Sequence, residues 1–505
     1  MSNMKSPENS LRPSRSVFVS FFRWLFSWKT LRRTLLSLAG LFTLIALLVT
    51  EENWRGKRAW ENFKREWEAR GERFDLASFM PKSAPDDQNF VMTPFFASVL
   101  ERERRMAGGD WKDTNVLQST LDVYGGMNSK RTPLFGSLRT GKLTDLQEWQ
   151  KFYRASTNFP TTPQPQGPAK DVLFALEKFG PVLKGLHEAG RRPYAQFPLY
   201  QDKDPMLPVI HLSILKSIAP VLRLRTTTFL ADSRREESLQ DVKMSFRLAD
   251  CLRPEPFLIS HLGRLAILEI SVGSVWEGLA RHQWGEPELV ELQQLLGSID
   301  LLTDYQQVMR GERAFSNALM AGMRQGKRGL FRLAPAGLLY QNQVCINRVY
   351  QLRVLPLIDA GQHRVYPEQS NQLTNAPEIR KTTPYNVLAR LLFPALDKSA
   401  VKTARAQAIL DQAAVACALE RFRLAKGQYP ESLSALVPRF IGKIPPDVIN
   451  GQPLHYRRTE DGKFLLYSVG WNRKDDGGVV AYHQDKAPTQ NDGQDDWVWL
   501  YPANQ

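Results

Sequence analysis

Asn472, Asp475, Asp476, Asp492, Asp495 and Asp496 crowd carboxylate and amide oxygens around Gly477, Gly478 and Gly493 near the end of the chain. Glycines allow the tight backbone paths that also bring carbonyl oxygens toward a hard cation. Calcium accepts roughly six to eight such oxygens of mixed type. Calcium is therefore the expected cofactor, with Asn472, Asp475, Asp476, Asp495 and Asp496 as its expected ligands; a solvated acidic loop is the competing reading. From Pro445 onward nine acids face six bases, in a chain whose formal charge is +15, so the acids are not an accident of composition. Their spacing is not that of the twelve-residue EF-hand loop.

Other chemistry is sparse. No Gly-rich phosphate loop, nucleophile elbow or HExxH zinc motif occurs. His187-Glu188 opens like the last of these, but Arg191 stands where its second histidine would be. His211 and His261 lie on apolar, helix-like segments and are expected to be core histidines bonded to backbone. Glu312-Arg313 is expected to form a salt bridge at a helix start. Cys251, Cys345 and Cys417 lie too far apart for a CxxC site and are expected to be isolated core thiols. Without two titratable groups whose proximity the sequence establishes, no catalytic residue is assigned, and enzymatic activity stays open.

The element that positions everything else is the run Thr34 to Thr50, seventeen uncharged and mostly apolar residues between Arg32-Arg33 and Glu51-Glu52. It stands at the short end of the ~17–25 residues that cross a hydrocarbon core. Seven Lys or Arg and one acid, Glu8, precede it, so the positive-inside bias keeps residues 1–33 in the cytoplasm of a bacterial-type inner membrane and exports the rest. A cleaved signal peptide is the competing reading; acids rather than a small-x-small box follow Val49. Val17 to Phe26, aromatic and basic-flanked, could lie on the inner leaflet. Of the +15, the first 33 residues carry +6. The remaining positive charge is expected to face solvent, lipid headgroups or cell-wall polymers, not nucleic acid.

Beyond the anchor, Trp60, Phe63 and Trp67 recur at helical spacing, with the bilayer or the folded body as their resting place. Residues 51–168 form a membrane-proximal region ending in the Pro-rich stretch Phe159 to Pro168, a linker candidate. Residues 169–400 read as an irregular array of helical hairpins: Leu239, Val242, Phe246 and Ala249 step by three and four, as do Leu258, Leu262 and Leu265, then Leu289, Leu292, Leu295 and Ile299. After Tyr429-Pro430, short runs rich in Tyr, Val, Phe and Trp alternate with Asp, Gly and Asn. These predict strands, with Asp461-Gly462 as a hairpin turn.

Residues 401–505 resemble the globular domain of type II secretion major pseudopilins. The likeness is carried by Ala418 to Phe422, Gly427-Gln428-Tyr429-Pro430, Leu433 to Val437, Tyr467-Ser468-Val469-Gly470 and the loop Trp471 to Asp496. It implies a small α+β domain whose loop holds calcium, although Asn472 occupies the place of that family's first Asp. The prepilin cleavage pattern does not extend to Gly40 through Val49, because Ala39 replaces the basic residue and Ala46 the assembly glutamate. The whole chain, through Asn53-Trp54-Arg55-Gly56-Lys57 and Pro85 to Phe90, also resembles a group of large membrane-anchored bacterial envelope proteins, a likeness that implies no activity.

The expected fold is mainly α: a single transmembrane helix, an irregular helical-hairpin array, and a small α+β domain with an antiparallel sheet. The expected function is a membrane-anchored periplasmic binding or assembly module with a protein partner in the envelope. An envelope hydrolase or lipid-modifying enzyme with its site among the helices is the alternative.

Overall fold

The computed structural model describes residues 28–97, 99–101, 103, 132–198, 210–325, 334–374, 376–479 and 495–502. The inner-leaflet stretch, Asp492 and Gly493 lie outside these residues. The fold is mainly helical, with a small antiparallel sheet near the C-terminus.

α1 (Trp28–Glu68) is one unbroken helix of 41 residues that joins the apolar run to the Trp60, Phe63, Trp67 segment. Its apolar window is long enough to cross a membrane and wholly exposed. Beyond that window the helix turns an aromatic face to the body, where Phe63 packs with Phe74 and Val344. Short 3-10 turns follow between Leu76 and Phe96. Then come α2 (Leu146–Arg154), α3 (Pro168–Leu176) and α4 (Gly180–Ala189). Buried Asp171 draws the Pro-rich stretch onto them. Its Oδ1 accepts from Thr162 Oγ1 at 2.8 Å and Gln166 N at 3.1 Å, and Arg154 pairs with Oδ2. Residues on both sides of that stretch share one core.

The body continues with α5 (Ile210–Ala231), α6 (Arg235–Asp250), α7 (Leu258–Ala280), α8 (Glu286–Gly297), α9 (Leu301–Arg324) and α10 (Ala336–Val349). The starts are legible in local chemistry. Pro287 occupies the first turn of α8, where a missing N–H costs nothing, and Asp300 caps α9 by accepting from Leu302 N and Thr303 N. A π turn over Tyr350–Val354 leads into the two-residue strands β1 (Ile358–Asp359) and β2 (Arg364–Val365), paired antiparallel, then α11 (Pro367–Thr374).

α12 (Val387–Lys426) runs 40 residues through both large cores: Phe393, Leu396 and Ala404 lie in one, Leu410, Val415 and Leu419 in the other. No break in it falls at residue 400. Gly427, at φ 81°, ends it in the left-handed conformation that a side chain resists. Tyr429 then folds back, its hydroxyl donating to Glu420 Oε2 at 2.7 Å. β3 (His455–Arg458), β4 (Phe464–Ser468) and β5 (Trp497–Val498) form the antiparallel sheet in that order. The β3–β4 turn contains Asp461 and Gly462, the latter at φ 75°.

Candidate functional site

The most chemically equipped concavity lies where the β1–β2 turn, α12 and the segment after Phe440 meet. It is a cavity of about 510 Å³ lined by polar groups including Gln293, Asp300, Gln362, His363, Gln407, Asp411 and Lys443. His363 reaches it from the β1–β2 turn, held at φ 52° where a non-glycine residue is strained. Its Nε2 lies 3.0 Å from Asp411 Oδ2. Gln407, one helical turn before Asp411 on α12, donates to Asp411 Oδ1 at 3.0 Å, and its own Oε1 accepts from Leu301 N. The pair therefore has an orienting partner of its own.

The hydrogen bond to Asp411 outweighs burial and raises the His363 pKa above its ordinary value; Asp300 adds to the rise and Lys443 opposes it. Burial raises that of Asp411, with the imidazole working against it. A partly exposed imidazole on a mostly covered carboxylate is an arrangement suited to moving protons at neutral pH. Among the described residues no Ser, Thr or Cys lines the cavity, and the imidazole–carboxylate pair suits the activation of a water. His363 and Asp411 were missed at the sequence level. The available signals were a polar break, Asp359 to Arg364, within an apolar region, and Gln407 and Asp411 one turn apart on an alanine-rich helix face.

A second imidazole–carboxylate group is sealed. His211 at the start of α5 stands between Glu103, which pairs with Nδ1, and Glu255, whose Oε1 lies 2.9 Å from Nε2. All three are at most 3% exposed, and Phe197 stacks on the ring at 4.4 Å. Burial opposes a charged ring here, but Glu255 and Glu103 prevail and raise His211 to about 10. The carboxylates occupy opposite edges of the ring and converge on no common point for a metal. A third pair, His187 Nε2 to Asp241 Oδ1 at 3.0 Å, shares its carboxylate with Arg225.

Several expectations need correction here. His211 and His261 are core histidines, but their rings bond side chains, not backbone: His261 Nε2 meets Thr403 Oγ1 at 2.9 Å. Burial, with Arg264 nearby, lowers His261 to about 3. Glu312 and Arg313 sit mid-helix and do not pair with each other. Arg313 reaches Glu72 at 2.7 Å, and Glu312 accepts from Leu258 N. The three cysteines are free; Cys251 and Cys417 are buried and Cys345 is partly so.

The acidic loop uses its carboxylates locally. Asp496 Oδ2 accepts from Asp476 N at 3.0 Å and Gly478 N at 2.8 Å. Asp475 Oδ1 accepts from Tyr467 Oη and Gly477 N, and Asn472 Nδ2 donates to Asp476 Oδ2. Burial lowers the Arg405 pKa to about 9, and Asp495, next to Asp496, lies close enough for its charge to oppose that fall. Among the described residues no three His, Cys, Asp or Glu are grouped to hold a metal. One feature fits a cation: Asp496 Oδ1 is buried with no hydrogen-bond partner among the described residues, and burial raises its pKa.

Comparison with protein-family models, with curated proteins and with solved structures finds no match, so the site is read from its own chemistry.

Proposed function

We propose that this is a bitopic bacterial envelope protein, N-terminus in the cytoplasm and bulk in the periplasm, that works as a binding or assembly module. The observation that carries the reading is the continuity of α1. The apolar helix passes without a break into the segment clasped by α10, where Gly337 N donates to Asn53 Oδ1 at 2.6 Å and a Cβ on Gly56 would stand 2.6 Å from Gly337 O. A body fixed this way to its span suits a scaffold that presents surfaces at a set height above a membrane. The irregular helical array offers grooves for a protein partner, and the pseudopilin-like C-terminal domain suits a link to secretion or envelope machinery.

Crosslinking in intact cells followed by purification from gently solubilised membranes tests this. Recovery of the chain alone, with no stoichiometric partner, would count decisively against it. Reaction of a cysteine at residue 10, but not one at 450, with an impermeant thiol reagent would reverse the topology.

The second reading, an envelope hydrolase, is favoured by His363 and Asp411 converging on a polar cavity. There His363 would take a proton from water, held in register by Asp411. Hydrolysis by the purified full chain should vanish in His363→Gln; activity that survives this change rules the site out.

Calcium at the acidic loop is a third component of the proposal, and the unpartnered oxygen of Asp496 supports it. Excess calcium should raise the melting temperature of the full chain, and Asp496→Asn should remove the rise.

A further inference from the structure

Outside the span, large exposed apolar side chains gather where the body meets α1. Tyr385 is 39% exposed, Val387 40% and Leu391 76%. The depth of the Tyr385 hydroxyl follows from its contacts. Tyr385 Oη accepts from Arg55 Nη2 at 3.1 Å and lies 3.4 Å from Glu52 Oε2. Glu52 is two residues past the apolar run, only ~3 Å of helix rise, and a headgroup layer extends ~5–7 Å beyond the hydrocarbon. Tyr385 is thus held at headgroup depth, where tyrosines concentrate.

The strip is built rigidly. Asn342 on α10 donates to Pro384 O at 2.7 Å and accepts from Leu388 N at 3.0 Å. Asn386 Nδ2 donates to Glu378 O and Lys381 O. Its own charges are of one sign: Arg380, Lys381 and Arg390 are exposed, no acid occurs from Ile379 to Phe393, and the Glu52 carboxylate that touches Tyr385 is paired with Arg55. Cations beside interfacial aromatic and aliphatic groups are what an anionic lipid surface attracts.

The remainder of α12 leads away from that surface. Gly337 lies against residues 52–56 and Val344 packs with Phe63, so α10 ascends with α1. Leu388 meets Asn342 and Phe393 meets Tyr350 at 5.5 Å, so α12 ascends with α10.

We propose that the strip from Arg380 to Leu391 is a second membrane contact, seated on the same bilayer face from which the span emerges. Arg380 and Lys381 engage anionic headgroups, and Tyr385 and Val387 enter the interface. The proposal rests on α1 being a membrane span, and the experiment separates the two.

The full chain, with Cys345→Ser to remove the partly exposed native thiol, is reconstituted into vesicles of phosphatidylethanolamine and phosphatidylglycerol carrying brominated acyl chains. An environment-sensitive fluorophore is attached at Leu44→Cys in the span, at Val387→Cys in the strip, or at Leu424→Cys near the far end of α12. Quenching is expected at 44 and 387 and not at 424, with loss of the signal at 387 when Arg380→Glu and Lys381→Glu are combined. Quenching at 44 without quenching at 387 overturns the second contact and leaves the anchor standing. Quenching at neither overturns both, and quenching at 387 alone overturns the anchor and, with it, a contact defined by the span's own bilayer face. A label at 387 shielded from aqueous iodide yet unquenched by lipid means that protein covers the strip, which also overturns the proposal.

Discussion

His211 and His363 are both imidazoles held by carboxylates, yet they stand in opposite relations to water. His211 is enclosed by Glu103, Glu255 and Phe197, and its charge is exchanged only with partners that never leave it. His363 rests on one carboxylate that is itself 13% exposed, and its own side chain remains 29% exposed at the edge of a cavity. The first arrangement ties together the Glu103 segment, the start of α5 and the turn before α7. The second leaves a proton within reach of whatever enters. Similar pairs thus suit stability or chemistry according to what surrounds them, and that surrounding can be tested.

The largest expected effect is His211→Ala. Removing the cation leaves Glu103 and Glu255 buried without their partner, and the loss from one side of a buried pair is ~3–5 kcal/mol. Chemical unfolding of the full chain in detergent should read it as a clear drop in midpoint; a change below ~1 kcal/mol would mean that the cluster is hydrated and the contrast false. His363→Gln should cost no more than ~1 kcal/mol, because a partly solvated ion pair is weak.

The pH dependence sharpens the comparison by sign. His211 is raised from 6.5 to about 10, so its stabilising contribution is full below pH 6.5 and is lost as pH rises toward 10. His261 is lowered from 6.5 to about 3, so its contribution is present above pH 6.5 and is lost as pH falls toward 3. Melting temperatures should therefore decline on both sides. His211→Ala should flatten the alkaline limb, and His261→Gln the acid limb. An unchanged limb in either variant would reject the corresponding assignment. The smallest effect is one of reactivity alone: diethyl pyrocarbonate should modify His363 in the native protein and spare His211 until unfolding, as read by peptide mass.

The helices were legible because their apolar spacing is local. Leu239 to Ala249 falls in α6 and Leu258 to Leu265 in α7, while Ile299 lies just beyond the end of α8. The sheet was legible from Tyr456, Phe464 to Val469 and Trp497, since aromatic and β-branched runs suit a half-buried pleat. The candidate site was not. Asp411 is 48 residues from His363, and Glu103 is 108 from His211; no spacing rule spans such distances. The acids of the loop were legible as donors, but not the backbone N–H groups of Asp476 and Gly478 that Asp496 serves. The Pro-rich stretch read as a linker because its composition favours extended chain, and nothing in the sequence marks Asp171, close behind it in the first turn of α3, as the carboxylate that folds it onto the core.

The close backbone approach at Gly56 and Gly337 has a mechanical consequence. With α1 seated in a bilayer as proposed, it would make that helix and the body a single lever with its fulcrum in the membrane. Seventeen residues rise only ~25 Å, so a membrane thinner than this must tilt the helix to hide its apolar length. A tilt of ~10° would carry a point ~55 Å up α12 sideways by about 10 Å. The far end of the molecule would then move with bilayer thickness, turning a local property of the lipid into a displacement many residues away.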